Sequence, residues 1–252
     1  MAIFRPISLA PNIASMTLSK ISGKISRYKK TREMANFFFT DRDRNIMGLS
    51  AIAGALAGAA GMAANTARDA SNLREQADYI EMEINGLPAK GWVWFSPFKD
   101  GDDVELIGTF QGDYFEIIAI ARPQDRTIAL YPHCSRGKKS HITTIIKWWF
   151  IATTFLVAVF IPILFTIFDL IDGKEKLFSF FGAEYLYATI FMYLFLGTYS
   201  LVTGRKFMMY VHAATQVFKA LGLPDPDNID LPKRTKRRPG DPGAFGVMYF
   251  NY

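Results

Sequence analysis

Apolar positions are spread unevenly along the chain, and two stretches are continuous. From Trp148 to Phe168, 21 residues in a row carry no charge, and from Tyr185 to Gly204 another 20 carry none. A helix of about 20 residues crosses the ~30 Å hydrocarbon core of a bilayer, so each run predicts a membrane span. Pro162 lies inside the first run and predicts a kink rather than a break. Asp172-Gly173 in the short connection is a turn signal. The spans, placed at 142–172 and 180–204, therefore pair as an antiparallel hairpin. Trp148, Trp149 and Tyr185 open the two runs, and Arg205 and Lys206 close the second; all five suit the membrane interface.

Elsewhere the apolar positions are periodic. After Pro11 and a candidate cap at Asn12, Leu18, Ile21, Ile25 and Tyr28 recur at helical spacing. Lys20, Lys24, Arg27 and Lys30 fill the neighbouring face. Residues 1–46 thus read as a basic amphipathic helical region, lying in an anionic headgroup layer or packed on the protein with a solvated face. Residues 47–64, MGLSAIAGALAGAAGMAA, are uncharged and small, with Gly54 and Gly58 four apart. They read as a linker, because a third span would carry the basic N-terminus across the membrane; insertion by a toxin is the alternative. Ala70, Leu73, Ala77, Ile80 and Ile84 step by three and four, with Arg74 and Asp78 one turn apart. This predicts an amphipathic helix over 65–86, ended by Asn85-Gly86 before Pro88.

Residues 87–135 change period. Gly91–Phe98, Asp103–Phe110, Tyr114–Ala121 and Arg126–Tyr131 are short runs divided by turn residues, which predicts a small antiparallel β-barrel module of the OB or SH3-like kind. Trp92 and Trp94 share a face, as core, as partner contact or as headgroup contact. Residues 205–252 read as a helix followed by a tail with five prolines between 222 and 243. The apolar end from Phe245 to Tyr252 predicts docking rather than disorder. The fold class is an α+β membrane protein: N-terminal helices, a small β-barrel, a two-helix transmembrane hairpin and a basic C-terminal tail.

Composition sharpens this picture. The chain has 252 residues, half of them hydrophobic, with one cysteine and three histidines, which leaves no disulfide framework and no cysteine-cluster metal site. The net charge of +6 is unevenly spread. Residues 1–46 carry +6, residues 65–141 carry −3 and residues 204–252 carry +4. Arg136, Lys138 and Lys139 before the first span, and Lys233, Arg234, Lys236, Arg237 and Arg238 after the second, outweigh Lys174 and Lys176 in the connection. That bias places both termini in the cytoplasm. The first ten residues lack the apolar core and cleavage site of a secretory signal. The basic tail suits topology or lipid headgroups better than nucleic acid.

The chemistry-bearing motifs fail. His133-Cys134 invites a phosphatase reading, but the arginine that its phosphate loop needs is replaced by Ser140. No base or activated thiolate partners Cys134. No phosphate loop, dinucleotide fingerprint, nucleophile elbow or zinc-protease motif is present. The expectation is therefore no enzyme, no cofactor and no metal.

The stretch from Ala35 to Trp149 resembles a bacterial family catalogued as type VI secretion system effectors. The resembling residues are Phe37-Phe38-Phe39-Thr40 with Arg42-Asp43-Arg44, the Gly/Ala run, and Glu75-Gln76-Ala77-Asp78-Tyr79. They continue through Gly91-Trp92-Val93-Trp94, Ser96-Pro97-Phe98, Arg122-Pro123 and Asp125-Arg126. The most specific piece is Tyr131-Pro132-His133-Cys134-Ser135-Arg136-Gly137, followed by Lys147-Trp148-Trp149. The resemblance implies a secretion-system context and carries over no catalytic residue. The expected protein is a non-enzymatic effector acting at the bacterial inner membrane. The alternative is a resident immunity protein that binds a co-encoded toxin. Expected partners are the lipid bilayer, a cognate toxin or immunity protein and a second copy of the chain. Trp92, Trp94, Arg136, Lys138 and Lys139 are candidate partner or headgroup contacts.

Overall fold

The computed structural model describes residues 18–35, 37, 75–171 and 182–252, without the side chains of Ala183, Glu184 and Lys206. The described residues form two compact units, one built from those up to Gly137 together with Met209–Tyr252, the other from Lys138–Met208. The fold is α+β, with a closed five-stranded β-barrel and, among the described residues, four α-helices.

The barrel strands are β1 (Ser19–Ala35), β2 (Glu75–Ile84), β3 (Leu87–Val93), β4 (Asp103–Gln111) and β5 (Tyr114–Arg122). β1 pairs antiparallel with both β2 and β4, β2 with β3, and β4 with β5. The wall closes where Ala89, Lys90 and Gly91 of β3 run parallel to Phe115, Glu116 and Ile117 of β5. The rest of that β5 edge pairs with β6 (Thr127–Leu130), and β6 pairs with β7 (Tyr249–Asn251) from the far end of the chain. The interior holds Ile25, Ile80, Ile84, Val93, Leu106, Phe115, Ile117 and Ile120, all buried.

Two expected helices are strands. In β1 the inward positions Ile21, Gly23 and Ile25 alternate with the exposed Lys20, Ser22 and Lys24. A bulge between Ser26 and Lys29 then inserts one residue, with Arg27 in the left-handed region (φ 54°). The extra residue turns Tyr28 inward three positions after Ile25. Spacings of four and three therefore arise from a bulged strand and imitate a helix. In β2, Ile80, Met82 and Ile84 are buried at period two, and the four-residue step from Ile80 to Ile84 fits either periodicity. Asn85-Gly86 does not cap a helix. Both residues have positive φ (53° and 80°), and Ile84 faces Leu87, which makes a two-residue hairpin turn. Asp78 does not pair along a helix. It receives Arg32 across the sheet at 2.8 Å. The β module thus extends beyond 87–135 to residues 19–35, 75–84 and 249–251. The Gly/Ala run 47–64 and Arg74 lie outside the described residues.

In the second unit, α1 (Lys138–Phe155), a π-helical turn (Leu156–Phe160) and α2 (Ile161–Ile171) form one continuous helical run. α3 (Ala183–Ala220) is 38 residues long, and its residues from Met209 onward belong to the barrel unit. The barrel unit also contains the short α4 (Leu231–Arg234). The chain end is ordered, with β7 on β6, and the Tyr252 amide donates to the Arg126 carbonyl at 3.0 Å.

Closure depends on two glycines. A methyl group on Gly91 would sit 2.2 Å from the Ile117 carbonyl oxygen, and one on Gly108 would sit 1.8 Å from that of Glu116. Both obstacles are backbone, so no side-chain rotation relieves them. Gly91→Ala is expected to lower barrel stability by about 2–3 kcal/mol through overpacking. A thermal melt of the purified protein, followed by tryptophan fluorescence, checks this against Gly240→Ala, whose added methyl meets open space but sits at positive φ.

Candidate functional site

The hairpin unit is apolar outside as well as inside. All but three of the exposed large apolar side chains among the described residues lie on it, the exceptions being Met34, Phe110 and Val247. Lys138–Ile171 and Tyr185–Arg205 are both long and apolar enough to cross a membrane. Trp148 is 62% exposed and Arg205 is exposed. The Lys206 side chain lies outside the described set. Trp149 is half-buried, with its indole ring against Gly197 and edge-on to Tyr193 at 6.1 Å. A methyl on Gly197 would come within 3.2 Å of that ring, and one on Gly204 within 2.6 Å of Ile145. Glycines seven apart on α3 thus receive Ile145 and Trp149, four apart on α1. Thr154 Oγ1 and Tyr193 Oη share a hydrogen bond of 2.7 Å between the same helices.

Tyr185 has a more specific task. In the π-helical turn, the Ile161 amide donates to Leu156 oxygen instead of Val157 oxygen. The next nitrogen belongs to Pro162 and carries no hydrogen. Val157 oxygen is therefore passed over by both registers, and the Tyr185 hydroxyl donates to it. The sequence marked Pro162 as a kink. It did not mark Tyr185 as the group that satisfies the carbonyl the kink orphans, because the two are 23 positions apart.

The motif Tyr131–Gly137 joins β6 to α1, and each residue in it is held. Tyr131 is buried, and its amide donates to Ile118 oxygen at 2.8 Å. His133, with φ of 67°, packs between Trp94 (4.9 Å) and Tyr210 (5.4 Å), and its Nε2 lies 3.0 Å from Glu75 Oε2. Cys134 is buried, and burial raises its thiol well above the ordinary value. It is a poor nucleophile in this environment. Arg136 Nε lies 3.3 Å from Asp230 Oδ1. The Gly137 amide donates to Ile229 oxygen at 2.8 Å, and the Leu231 amide donates to Ser135 oxygen at 3.1 Å. A methyl on Gly137 would lie 2.2 Å from Pro226 oxygen, so this position requires glycine. The motif is a clasp between the chain entering the apolar hairpin and the chain leaving it.

Trp92 and Trp94 are half-buried on the outside of the barrel. Trp92 meets Tyr79 at 5.1 Å and Phe37 at 5.5 Å, and Phe37 meets Tyr131 at 5.4 Å. The Tyr210 hydroxyl donates to the Phe37 carbonyl. Trp92 and Trp94 are thus engaged by aromatic neighbours and Arg136 by Asp230, while Lys138 and Lys139 stand exposed at the start of α1. On the other side of the barrel wall, the buried Asp78 carboxylate accepts from the Ser96 amide at 2.8 Å, and Ser96 Oγ meets the Tyr28 hydroxyl at 2.5 Å. Burial, aided by the Asp78 and Asp102 charges, pushes the Tyr28 phenol up to about 12. An open groove bounded by Arg27, Glu81, Glu83, Lys90, Asp113 and Tyr114 mixes both signs of charge. No group of three His, Cys, Asp or Glu side chains poised to hold a metal occurs among the described residues.

Two predictions follow from this geometry. Tyr185→Phe leaves the Val157 carbonyl without its donor and is expected to cost the hairpin about 1–2 kcal/mol, read as a lower unfolding midpoint in detergent. Burial opposes ionisation of Asp230, but the Lys233 hydrogen bond and the Arg136 charge hold its pKa below the ordinary 3.8; Arg122 and Thr127 do the same for Asp125. Their contribution to stability is complete above that ordinary value and is lost as the pH falls through the depressed one. Acid titration of tertiary structure by near-ultraviolet circular dichroism should show this loss, reduced in Asp230→Asn. No family model, curated protein or solved structure matches this chain.

Proposed function

We propose that this chain is a two-span protein of the bacterial inner membrane, associated with type VI secretion, that acts at the membrane without catalysis. The observation that carries the membrane reading is the exposure of the hairpin's aromatic and aliphatic faces, with Leu170, Ile171 and Tyr187 each 70% exposed or more. Each half-exposed large apolar side chain left in water forgoes roughly 1 kcal/mol, so the hairpin as a whole forgoes on the order of 20 kcal/mol. That exceeds the roughly 5–15 kcal/mol by which a domain is stable. An apolar surrounding removes the deficit, and a bilayer of ~30 Å matches the length of the two uncharged runs, Trp148–Phe168 and Tyr185–Gly204, within the helices.

The barrel supports one topology. β6 precedes the hairpin and β7 follows it, yet the two pair. Residues 130 and 249 therefore share one side of the membrane, and the helices between them cross an even number of times. Lys138, Lys139 and Lys147 flank the first span on that side, and Arg205 flanks the second, which favours the cytoplasm. The strand order β1-β2-β3-β5-β4, closed through a parallel β3–β5 contact, is that of an OB-type barrel, a scaffold on which many proteins bind partners.

The secretion context rests on the resemblance of the stretch Ala35–Trp149, above all its Tyr131–Gly137 motif. In the effector reading, the apolar hairpin is the part that disrupts the target membrane. The immunity reading is favoured by a separate observation: the sheet that extends from the β5 edge of the barrel through β6 ends in β7, a strand that follows the hairpin, which suits a resident protein folding at its own membrane. Induction of the full chain in a naive bacterial host, with membrane potential followed by a voltage-sensitive dye, separates the two. Depolarisation that disappears when residues 138–208 are deleted is the effector outcome. Healthy growth with alkali-resistant membrane insertion is the resident outcome. Complete extraction by alkaline carbonate, with normal growth, would contradict the proposal as a whole.

A further inference from the structure

Most basic residues of the barrel wall are paired with carboxylates, and Lys24, Lys90 and Arg126, which are not paired among the described residues, stand singly. Lys20 pairs with Glu105, Arg27 with Glu83, Lys29 with Glu81, Arg32 with Asp78, and Arg122 with Asp102 and Asp125. The segment Lys233–Arg238 is different. Its five basic side chains are all exposed, and among the described residues Lys233 alone of the five has a carboxylate partner, the buried Asp230. The neighbouring Asp241 carboxylate is engaged by the Arg238 amide at 2.6 Å.

This segment is also held in place. Asp230 caps α4 by accepting from the Lys233 amide. The buried Thr235 hydroxyl donates to Leu231 oxygen at 2.9 Å and accepts from the Asn251 amide of β7 at 2.9 Å. The anchor on the other side is the clasp, through Gly137 to Ile229, Ser135 to Leu231, and Arg136 to Asp230. Gly137 is the residue directly before α1, and Lys138 and Lys139 follow it. A rigid cluster of cations is therefore tethered within a few residues of the point where the chain enters its first apolar helix. A tail serving only as a topology signal needs no such fixation.

We propose that Lys233, Arg234, Lys236, Arg237 and Arg238 form a docking surface for the phosphate groups of anionic lipids in the leaflet next to the barrel. The proposal rests on the membrane reading of the hairpin. It moves the headgroup contact from Trp92, Trp94 and Arg136, which are engaged within the barrel unit, to the strap beyond the clasp. Each basic side chain near an anionic surface strengthens association roughly fivefold, so the cluster as a whole is effective even when only part of it engages.

The test uses the full chain in nanodiscs of phosphatidylcholine alone or mixed with phosphatidylglycerol. Trypsin cleavage within 233–238 is followed by mass spectrometry, with cleavage at the exposed Lys99 as reference and survival of the hairpin peptides as the sign of insertion. The expected result is cleavage of the strap slowed at least about tenfold by phosphatidylglycerol relative to Lys99, and restored by high salt. Equal rates in both discs with the hairpin protected would overturn the docking surface and leave the membrane reading standing. Digestion of the hairpin in both discs would overturn the two together. Protection in phosphatidylcholine discs by added inorganic phosphate or duplex DNA, but not by phosphatidylglycerol, would assign the surface to a soluble polyanion and overturn the lipid assignment.

Discussion

The pairing of β7 with β6 binds the last residues of the chain to a strand made before the apolar hairpin begins. A sheet cannot pair through a bilayer, so under the proposed membrane reading this contact requires both flanks of the hairpin to lie on one side. The clasp repeats the constraint at the hairpin's root, where Gly137 meets Ile229 and Arg136 meets Asp230. Glycine is needed there because the Pro226 carbonyl occupies the space of a side chain. The same clasp fixes the basic strap and leaves Cys134 buried behind it. The motif that stood out in the sequence thus has a mechanical role, joining the chain on both sides of the hairpin.

The uneven charge of the chain has a similar explanation. The basic N-terminal region and the acidic centre read as separate features, the first lying in a headgroup layer or packed on the protein with a solvated face. In the fold they are neighbours: β1 lies between β2 and β4, and its lysines and arginines meet Glu81, Glu83 and Glu105 across the strands. Exposed pairs of this kind contribute ~0–1 kcal/mol each, so they select strand partners and register more than they add stability. Asp78 is the exception. It is buried, and it receives Arg32 and the Ser96 amide together, so it locks the loop after β3 onto β1. Arg234, Lys236, Arg237 and Arg238, without a carboxylate partner among the described residues, stand together in the C-terminal strap.

Much of the architecture was legible. The two-helix hairpin was, because two long uncharged runs are joined by a short connection with a turn signal. β4, β5 and β6 were, because turn residues bracket each of them. The docked chain end was, from its aromatic residues. β1 and β2 were not. A bulge at Arg27 turned a period of two into steps of four and three, and Ile80 and Ile84 fit both periods. Met82, in phase with both isoleucines, and Asn85-Gly86, a strong hairpin signal, were the residues that carried the correct reading. The clasp and the Tyr185–Val157 contact were out of reach because they join positions far apart in the chain. Only tertiary structure reveals that Pro162 and a π-helical turn leave one carbonyl without a partner.

The proposed topology places both flanks of the hairpin, joined through β6 and β7, on one side of the membrane and the hairpin's tip on the other. Cysteine labelling tests it most directly. Single cysteines are placed at Asp113 in the β4–β5 turn, at Gly240 beyond the strap and at Gly182 before α3, in a Cys134→Ser background. A membrane-impermeant maleimide is then applied to intact spheroplasts and to opened membranes. The account predicts labelling of the Gly182 position in intact spheroplasts, and of the Asp113 and Gly240 positions only after opening. Labelling of Asp113 and Gly240 from opposite sides, or of all three from one side, would contradict it.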